Sequence, residues 1–227
     1  MDPSIFVIVP AYNERAIILS TLQSLIAAGY RVVVVDDGST DGTDAVIRGL
    51  PVYSLRHSIN LGQGGALQTG MTFALQQGAE IIVHFDADGQ HKIEDIETLV
   101  QPLRCGEADV VFGSRFLRSQ DVVAVPVKKR VLLRSAVLVN WLTTGICLTD
   151  AHNGLRALSA KAAQKIYLRE NGFAHATEIL SEVSRAHLRY IERPTTISYT
   201  EYSKAKGQPV WNAFNIVVDL FLRGMFK

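Results

Sequence analysis

Short apolar runs rich in β-branched residues occur at residues 5–9, 32–35, 81–85 and 109–112, and longer stretches of helical period separate them. Alternation of that kind predicts βαβ units wound around a mostly parallel sheet with helices on both faces. The expected fold class is α/β, Rossmann-like, in one domain over residues 1–210. Each run ends in a polar segment, in turn PAYNE, DDGSTDGT, HFDADGQH and GSR. Ligands of such sheets bind beyond the carboxyl ends of the strands, so the four segments are expected along one edge. From about residue 120 the pattern changes: Lys128, Lys129, Arg130 and Arg134 open an apolar helical run from Val131 to Leu142. Residues 211–227 place Asn212, Asn215, Asp219 and Arg223 on one helical stripe and Trp211, Phe214, Val217, Val218, Phe221 and Met225 on the rest. This reads as an amphipathic C-terminal helix. It suits either a membrane headgroup boundary or packing on the domain's own core.

Composition narrows the classes. The 227 residues are 48% hydrophobic, enough to bury a sizeable core. The net charge of +1 excludes the broad basic field that recruits nucleic acid. Cys105 and Cys147 lie far apart without CxxC spacing, which points to neither a disulfide framework nor a structural zinc site and fits a reducing cytoplasm. The N-terminus opens into a strand pattern rather than a signal peptide. No apolar run is long enough to span a bilayer, so any membrane association is expected to be peripheral.

The chemistry lies at the strand ends. Asp86, Ala87 and Asp88 follow the strand Glu80–Phe85, so two carboxylates stand where a hard cation can sit between them and a ligand. Magnesium keeps few protein ligands, at about 2.0–2.1 Å, and completes its octahedron with water and substrate phosphates, so one or two aspartates suffice. Gln90 can add an oxygen. A lone Asp-x-Asp is also a common turn; its place after an apolar strand favours the ligand reading. Asp36 and Asp37 end another strand. Asp41 reads as a structural cap of the following helix, whereas Asp37 reads as an acceptor of hydrogen bonds from a base or ribose. The run Asn60-Leu61-Gly62-Gln63-Gly64-Gly65 fails the GxGxxG pattern at Leu67, and no GxxxxGK[ST] run exists. Those glycines are expected to serve a tight turn and a close approach of backbone. His91, His152 and His175 lie near motifs and are given no ligand role.

VIVPAYNE, VVDDGSTDGT, NLGQGGA, DADGQH, GSR and DAHNGLR follow one another in that order, and the chain thereby resembles glycosyltransferase family 2 over residues 5 to about 206. Within that family it is most similar to the polyprenyl-phosphate and dolichol-phosphate sugar transferases. The resemblance implies a GT-A domain and inverting transfer of a hexose from a UDP- or GDP-sugar, with Mg²⁺ or Mn²⁺. It implies nucleoside contacts from Pro10, Tyr12, Glu14, Val35 and Asp37, and metal and diphosphate contacts from Asp86, Ala87, Asp88 and Gln90. Arg115 is then expected to face a donor or acceptor phosphate. Lys204 or Lys206 falls where relatives carry a lysine that closes over the diphosphate, although the arginine expected some six residues earlier is Ser198 here.

The acceptor decides the remaining residues. A lipid phosphate is already anionic, so cations such as Arg115, Lys129 and Arg130 would dominate, with the apolar run beyond them guiding the lipid; a solvated helix face explains Lys128–Arg130 equally well. A sugar hydroxyl would need a carboxylate base, for which Asp150 or Glu178 is the candidate; Asp150 can instead position its own loop. The expected partners are the donor sugar nucleotide, a lipid phosphate and the cytoplasmic face of a membrane, with a membrane subunit or a second copy as further options. A nucleotidyltransferase would also use strand-end carboxylates, but it would open with a Gly-rich loop where this chain has PAYNE. A nucleotide-binding subunit without catalysis is the other alternative.

Overall fold

The computed structural model describes residues 4–117, 137, 141, 142, 144–150, 153–170, 172 and 174–198. One seven-stranded sheet organises them. In chain order the elements are β1 (Ile5–Ala11), α1 (Ile18–Ala27), β2 (Arg31–Asp36), α2 (Thr43–Ile47), β3 (Tyr53–Arg56), α3 (Gln63–Gln76), β4 (Ile81–His84), α4 (Glu94–Arg104) and β5 (Val110–Ser114). Further along the chain come β6 (Arg156–Ser159), α5 (Ala160–Lys165), α6 (His175–Arg185) and β7 (Tyr190–Pro194). The strand order is β3-β2-β1-β4-β6-β5-β7. All neighbours are parallel except β6, which runs antiparallel to both β4 and β5.

The period-two alternation of strand side chains divides the core in two. Phe6, Ile8, Val33, Val35, Ile82 and Leu158 face one side with α3, α5 and α6. Val7, Val9, Val32, Val34, Val83 and Ala157 face the other, with α1 and α4. Strands buried on both faces read as near-continuous apolar runs, which explains why β1, β2, β4 and β5 stand out in the sequence. Helix α3 carries unusually small residues because it lies close to the sheet: a Cβ on Gly70 would come within 2.4 Å of Ile8 Cγ2.

This order positions the site. From β1 the chain moves outward to β2 and β3, then returns to β4 on the other side of β1. The carboxyl ends of β1 and β4 therefore flank a switch point, where open α/β sheets bind ligands. Residues 11–14 and 85–88 leave the sheet there.

Candidate active site

Asp86 and Asp88 stand just past the end of β4. Asp86 accepts from Gln63 Nε2 at 3.0 Å and lies 3.1 Å from His91 Nε2, each contact on a different carboxylate oxygen. Gln63 is the first residue of α3, so the short Gly62 turn (φ 89°) delivers that side chain to the acid. Asp88 accepts from the Gln90 backbone N–H at 3.0 Å and from Gln90 Nε2 at 2.7 Å. Gln90 thus orients Asp88, and its amide oxygen is the part left to face a cation, the oxygen and nitrogen being assigned from the hydrogen bonds. Ala87 is turned into the core and its carbonyl accepts from Thr21 Oγ at 3.1 Å.

Burial opposes the charge on Asp86, but the His91 hydrogen bond and the charges of His91, Arg156 and His175 together outweigh it and hold the carboxyl below its ordinary value. Asp88 moves the other way. Burial first, then the charges of Asp86 and Glu14, raise it against the Gln90 hydrogen bond and the charge of His91. A half-buried pair of like charges with hard oxygen atoms is the donor set that Mg²⁺ or Mn²⁺ relieves. Among the described residues, no group of three or more His, Cys, Asp or Glu could hold a metal ion. A cation held by these two carboxylates would have to take the rest of its shell from water and a diphosphate.

On the other side of the switch point, the β1–α1 loop is knitted to the β2–α2 loop. Asn13 sits at φ 54° with its N–H donating to Ser39 Oγ, while its side-chain oxygen accepts from the Thr40 N–H. The Glu14 N–H donates to Thr43 Oγ. Asp41 accepts from the Thr43 N–H and hydroxyl and from the Arg15 N–H, so it is structural, tying the first residue of α2, whose N-cap is Gly42, to the loop above it. Tyr12 is exposed, and Pro10 and Glu14 are half-buried at this rim.

Val35 and Asp37, expected at the nucleoside, both have buried side chains. Val35 is fully enclosed in the core on the α3 face, paired in register with Pro10 and Leu55. Asp37 is buried and its carboxylate is occupied from within: it lies 2.7 Å from His57 Nδ1 and accepts from the N–H groups of Leu61 and Gly62 at 2.9 and 2.7 Å. Asp37 therefore holds the 57–62 loop, and through it the start of α3.

The remaining predicted acids are also engaged. Asp150 accepts from both the backbone N–H and Nε of Arg115, at 3.1 and 2.6 Å, at the end of β5. Its side chain is fully enclosed, and Asn153 Nδ2 approaches the same oxygen at 3.5 Å. This arrangement serves the loop-positioning role. Glu178, in the first turn of α6, accepts from the N–H groups of Arg169 and Glu170 at about 3.0 Å, which accounts for it as a clasp of that loop. Lys129, Arg130, His152, Lys204, Lys206 and residues 211–227 lie outside the described residues.

Sequence reasoning missed Gln63, His91, Gly154 and Arg156. His91 was visible inside DADGQH and Arg156 inside DAHNGLR, but a single histidine or arginine in a motif carries no direction until the strands are paired. Gly154 is fixed by contact: a Cβ there would lie 1.9 Å from Asp86 Oδ2.

The fold, the switch-point carboxylates and the ordered motifs define a class, that of nucleotide-sugar transferases with a GT-A fold. The family model for glycosyl transferase family 2 matches residues 6–167, and the chain belongs to that family and is a glycosyltransferase. It is 38% identical over 225 residues to a protein of Methanocaldococcus jannaschii of uncharacterised function, covering 98% of this chain and 93% of that one. It is 34% identical over 247 residues to a UDP-N-acetylglucosamine–dolichyl-phosphate N-acetylglucosaminyltransferase of Methanococcus voltae, covering 100% of this chain and 98% of that one. Among solved structures it is similar to glucosyl-3-phosphoglycerate synthase of Mycobacterium tuberculosis in complex with Mn²⁺, UDP and glucosyl-3-phosphoglycerate. The TM-score is 0.71 at 20% identity, over 98% of this chain and 80% of that one, a likeness of fold.

Proposed function

We propose that the protein is an inverting, Mg²⁺- or Mn²⁺-dependent transferase that moves a hexose from a UDP- or GDP-sugar to a polyprenyl phosphate at the cytoplasmic face of a membrane. The observation that carries this is the pair Asp86 and Asp88 at the switch point, half-buried, like-charged and built from hard oxygens. The bound cation would neutralise charge developing on the departing diphosphate. The Tyr12–Glu14 rim, with Pro10 beside it, would receive the nucleoside.

A phosphate oxygen of the acceptor attacks the anomeric carbon from the face opposite the diphosphate; the bond to the diphosphate breaks and the nucleoside diphosphate leaves. The acceptor oxygen is already ionised, so no base is needed, and the two acids considered for that task are committed to Arg115 and to the 169–170 amides. That commitment favours a phosphate acceptor over a sugar hydroxyl. Arg115 is proposed for the acceptor phosphate, its Nε edge fixed by Asp150, since a guanidinium suits bidentate phosphate contact. Lys129 and Arg130 are proposed beside it, and Lys204 or Lys206 over the leaving diphosphate. The Methanococcus voltae relative, whose acceptor is dolichyl phosphate by name, supports the same acceptor class.

Calorimetric titration with UDP and with GDP, each with and without Mn²⁺, tests the donor site without an acceptor. One nucleotide should bind in a metal-dependent way, and binding should vanish in Asp88→Ala. Transfer to polyprenyl phosphate should stop when chelator is added. Turnover that survives both chelator and Asp88→Ala would overturn the metal assignment, failure of both nucleotides to bind would overturn the donor site, and nucleotide binding without transfer would favour a subunit without catalysis.

A further inference from the structure

Behind Asp86, on the face of the sheet covered by α3, α5 and α6, lies a set of basic side chains that the reaction above does not use. Arg156 on β6 and His84 on β4 are direct partners across the antiparallel ladder, so both leave the same face. Arg156, His84 and His175 are 3%, 1% and 3% exposed. Among the described residues, neither ring nitrogen of His84 has a hydrogen-bond partner. Arg156 donates from Nε to the Gly154 carbonyl at 3.4 Å and from an Nη to the Asn153 carbonyl at 3.3 Å. A guanidinium this deeply buried is expensive unless it is matched by something.

The match is the turn it holds. Asn153 and Gly154 supply the carbonyls that Arg156 grips, and the same turn abuts the strand-end acid, because a Cβ on Gly154 would lie 1.9 Å from Asp86 Oδ2 and 2.8 Å from Oδ1. Asn153 is itself anchored, with Nδ2 donating to Thr195 Oγ at 2.9 Å and Oδ1 accepting from the Leu155 N–H. The turn is therefore rigid on one side and pulled toward β6 on the other.

We propose that Arg156 is a positioning residue for the donor-site carboxylates: from within the sheet it clamps the Asn153–Gly154 turn against Asp86 and places a fixed positive charge behind that carboxylate. The inference rests on the reading of Asp86 and Asp88 as the acids of the donor site. Burial draws the Arg156 guanidinium down to about 10, with Asp86 opposing, so it stays charged at neutral pH. His84, across the ladder, is held well below its ordinary value by burial first and then by Arg156, and so contributes no charge. The planar fork of arginine is what lets one side chain reach two consecutive carbonyls.

Arg156→Met removes the charge and the fork while keeping an apolar stem in the site. In the metal-free protein the reporter is the His91 imidazole, which is buried and within 3.1 Å of Asp86 Oδ2. Its Nε2–H resonance should shift and exchange faster with water in Arg156→Met. The same change is expected in Gly154→Ala, whose methyl meets the carboxylate directly. Calorimetry should show affinity for Mn²⁺ with UDP falling about 10- to 100-fold, the range for residues that orient metal ligands, while UDP binding in chelator is unchanged. Arg156→Lys should recover part of the loss, the charge without the fork. An unmoved His91 resonance together with wild-type Mn²⁺ affinity in Arg156→Met would overturn the proposal. Should Arg156→Met not fold, Arg156→Lys and Gly154→Ala decide by the same resonance. A wild-type protein that binds neither Mn²⁺ nor nucleotide would sink the functional reading alone, because the His91 reporter needs neither.

Discussion

The Arg115 and Asp150 side chains are 8% and 0% exposed, and Nε approaches Oδ2 at 2.6 Å. Removing one partner of such a pair strands the other charge away from water, which costs about 3–5 kcal/mol. Asp150→Ala is therefore expected to lose stability of that order in denaturant unfolding and to release the guanidinium from its fixed edge. A loss under about 1 kcal/mol, the worth of an exposed pair, would show that the pair is solvated. The same residue shows where reading the chain stops at this scale. The sequence marks Asp37, Asp86, Asp88 and Asp150 alike, as acids in polar motifs. What separates them is the number of donors that the fold aims at each one. Asp37 meets His57 and two amides of a loop more than twenty residues away in the chain, and no spacing along the sequence reports that. Asp86 and Asp88 were legible because their neighbours in the chain, Gln90 and His91, are also their neighbours in space.

Helix α3 ties the core to the site, since its first residue bonds Asp86 and its body packs on β1 and β2. That packing depends on close approach at its start: a Cβ on Gly64 would lie 2.0 Å from the Glu170 carbonyl oxygen and 2.8 Å from His175 Cβ. Gly64→Ala should gain up to about 1 kcal/mol of helix propensity, yet the helix must then back away from the 168–170 segment and the start of α6. Overpacking of this kind costs about 1–3 kcal/mol. The expected result is a lower unfolding midpoint and weaker metal-dependent nucleotide binding, since Gln63 moves with the helix. A variant as stable and as active as the parent would show that the two segments separate freely. Elements with apolar runs were legible, and β1, β2, β4 and β5 fall within two residues of the expected positions. The strands that were not, β3, β6 and β7, have physical reasons. β3 is an edge strand with mostly exposed residues, β7 is half-buried throughout at the other edge, and β6 is a four-residue strand that includes Arg156. The antiparallel insertion of β6 between β4 and β5 also breaks the βαβ rhythm that the pattern predicts.

For the whole molecule, the proposed polyprenyl phosphate acceptor requires that a chain with a net charge of +1 reach a lipid surface. No helix among the described residues is long and apolar enough to cross a membrane. Residues 211–227 lie outside those residues, but their pattern sets Trp211, Phe214, Val217, Val218, Phe221 and Met225 against a stripe of Asn212, Asn215, Asp219 and Arg223. An amphipathic helix of that composition would bind by burying its apolar face at the acyl boundary, with a strength set by that area together with attraction of its basic residues to anionic lipid. Deleting residues 211–227 should then lower co-sedimentation with vesicles containing polyprenyl phosphate. Metal-dependent nucleotide binding should survive, because the switch-point carboxylates and their supports all lie before residue 199. Vesicle binding unchanged by the deletion would mean that the segment packs on the protein's own surface, and the variant would then unfold at a lower temperature than the full chain.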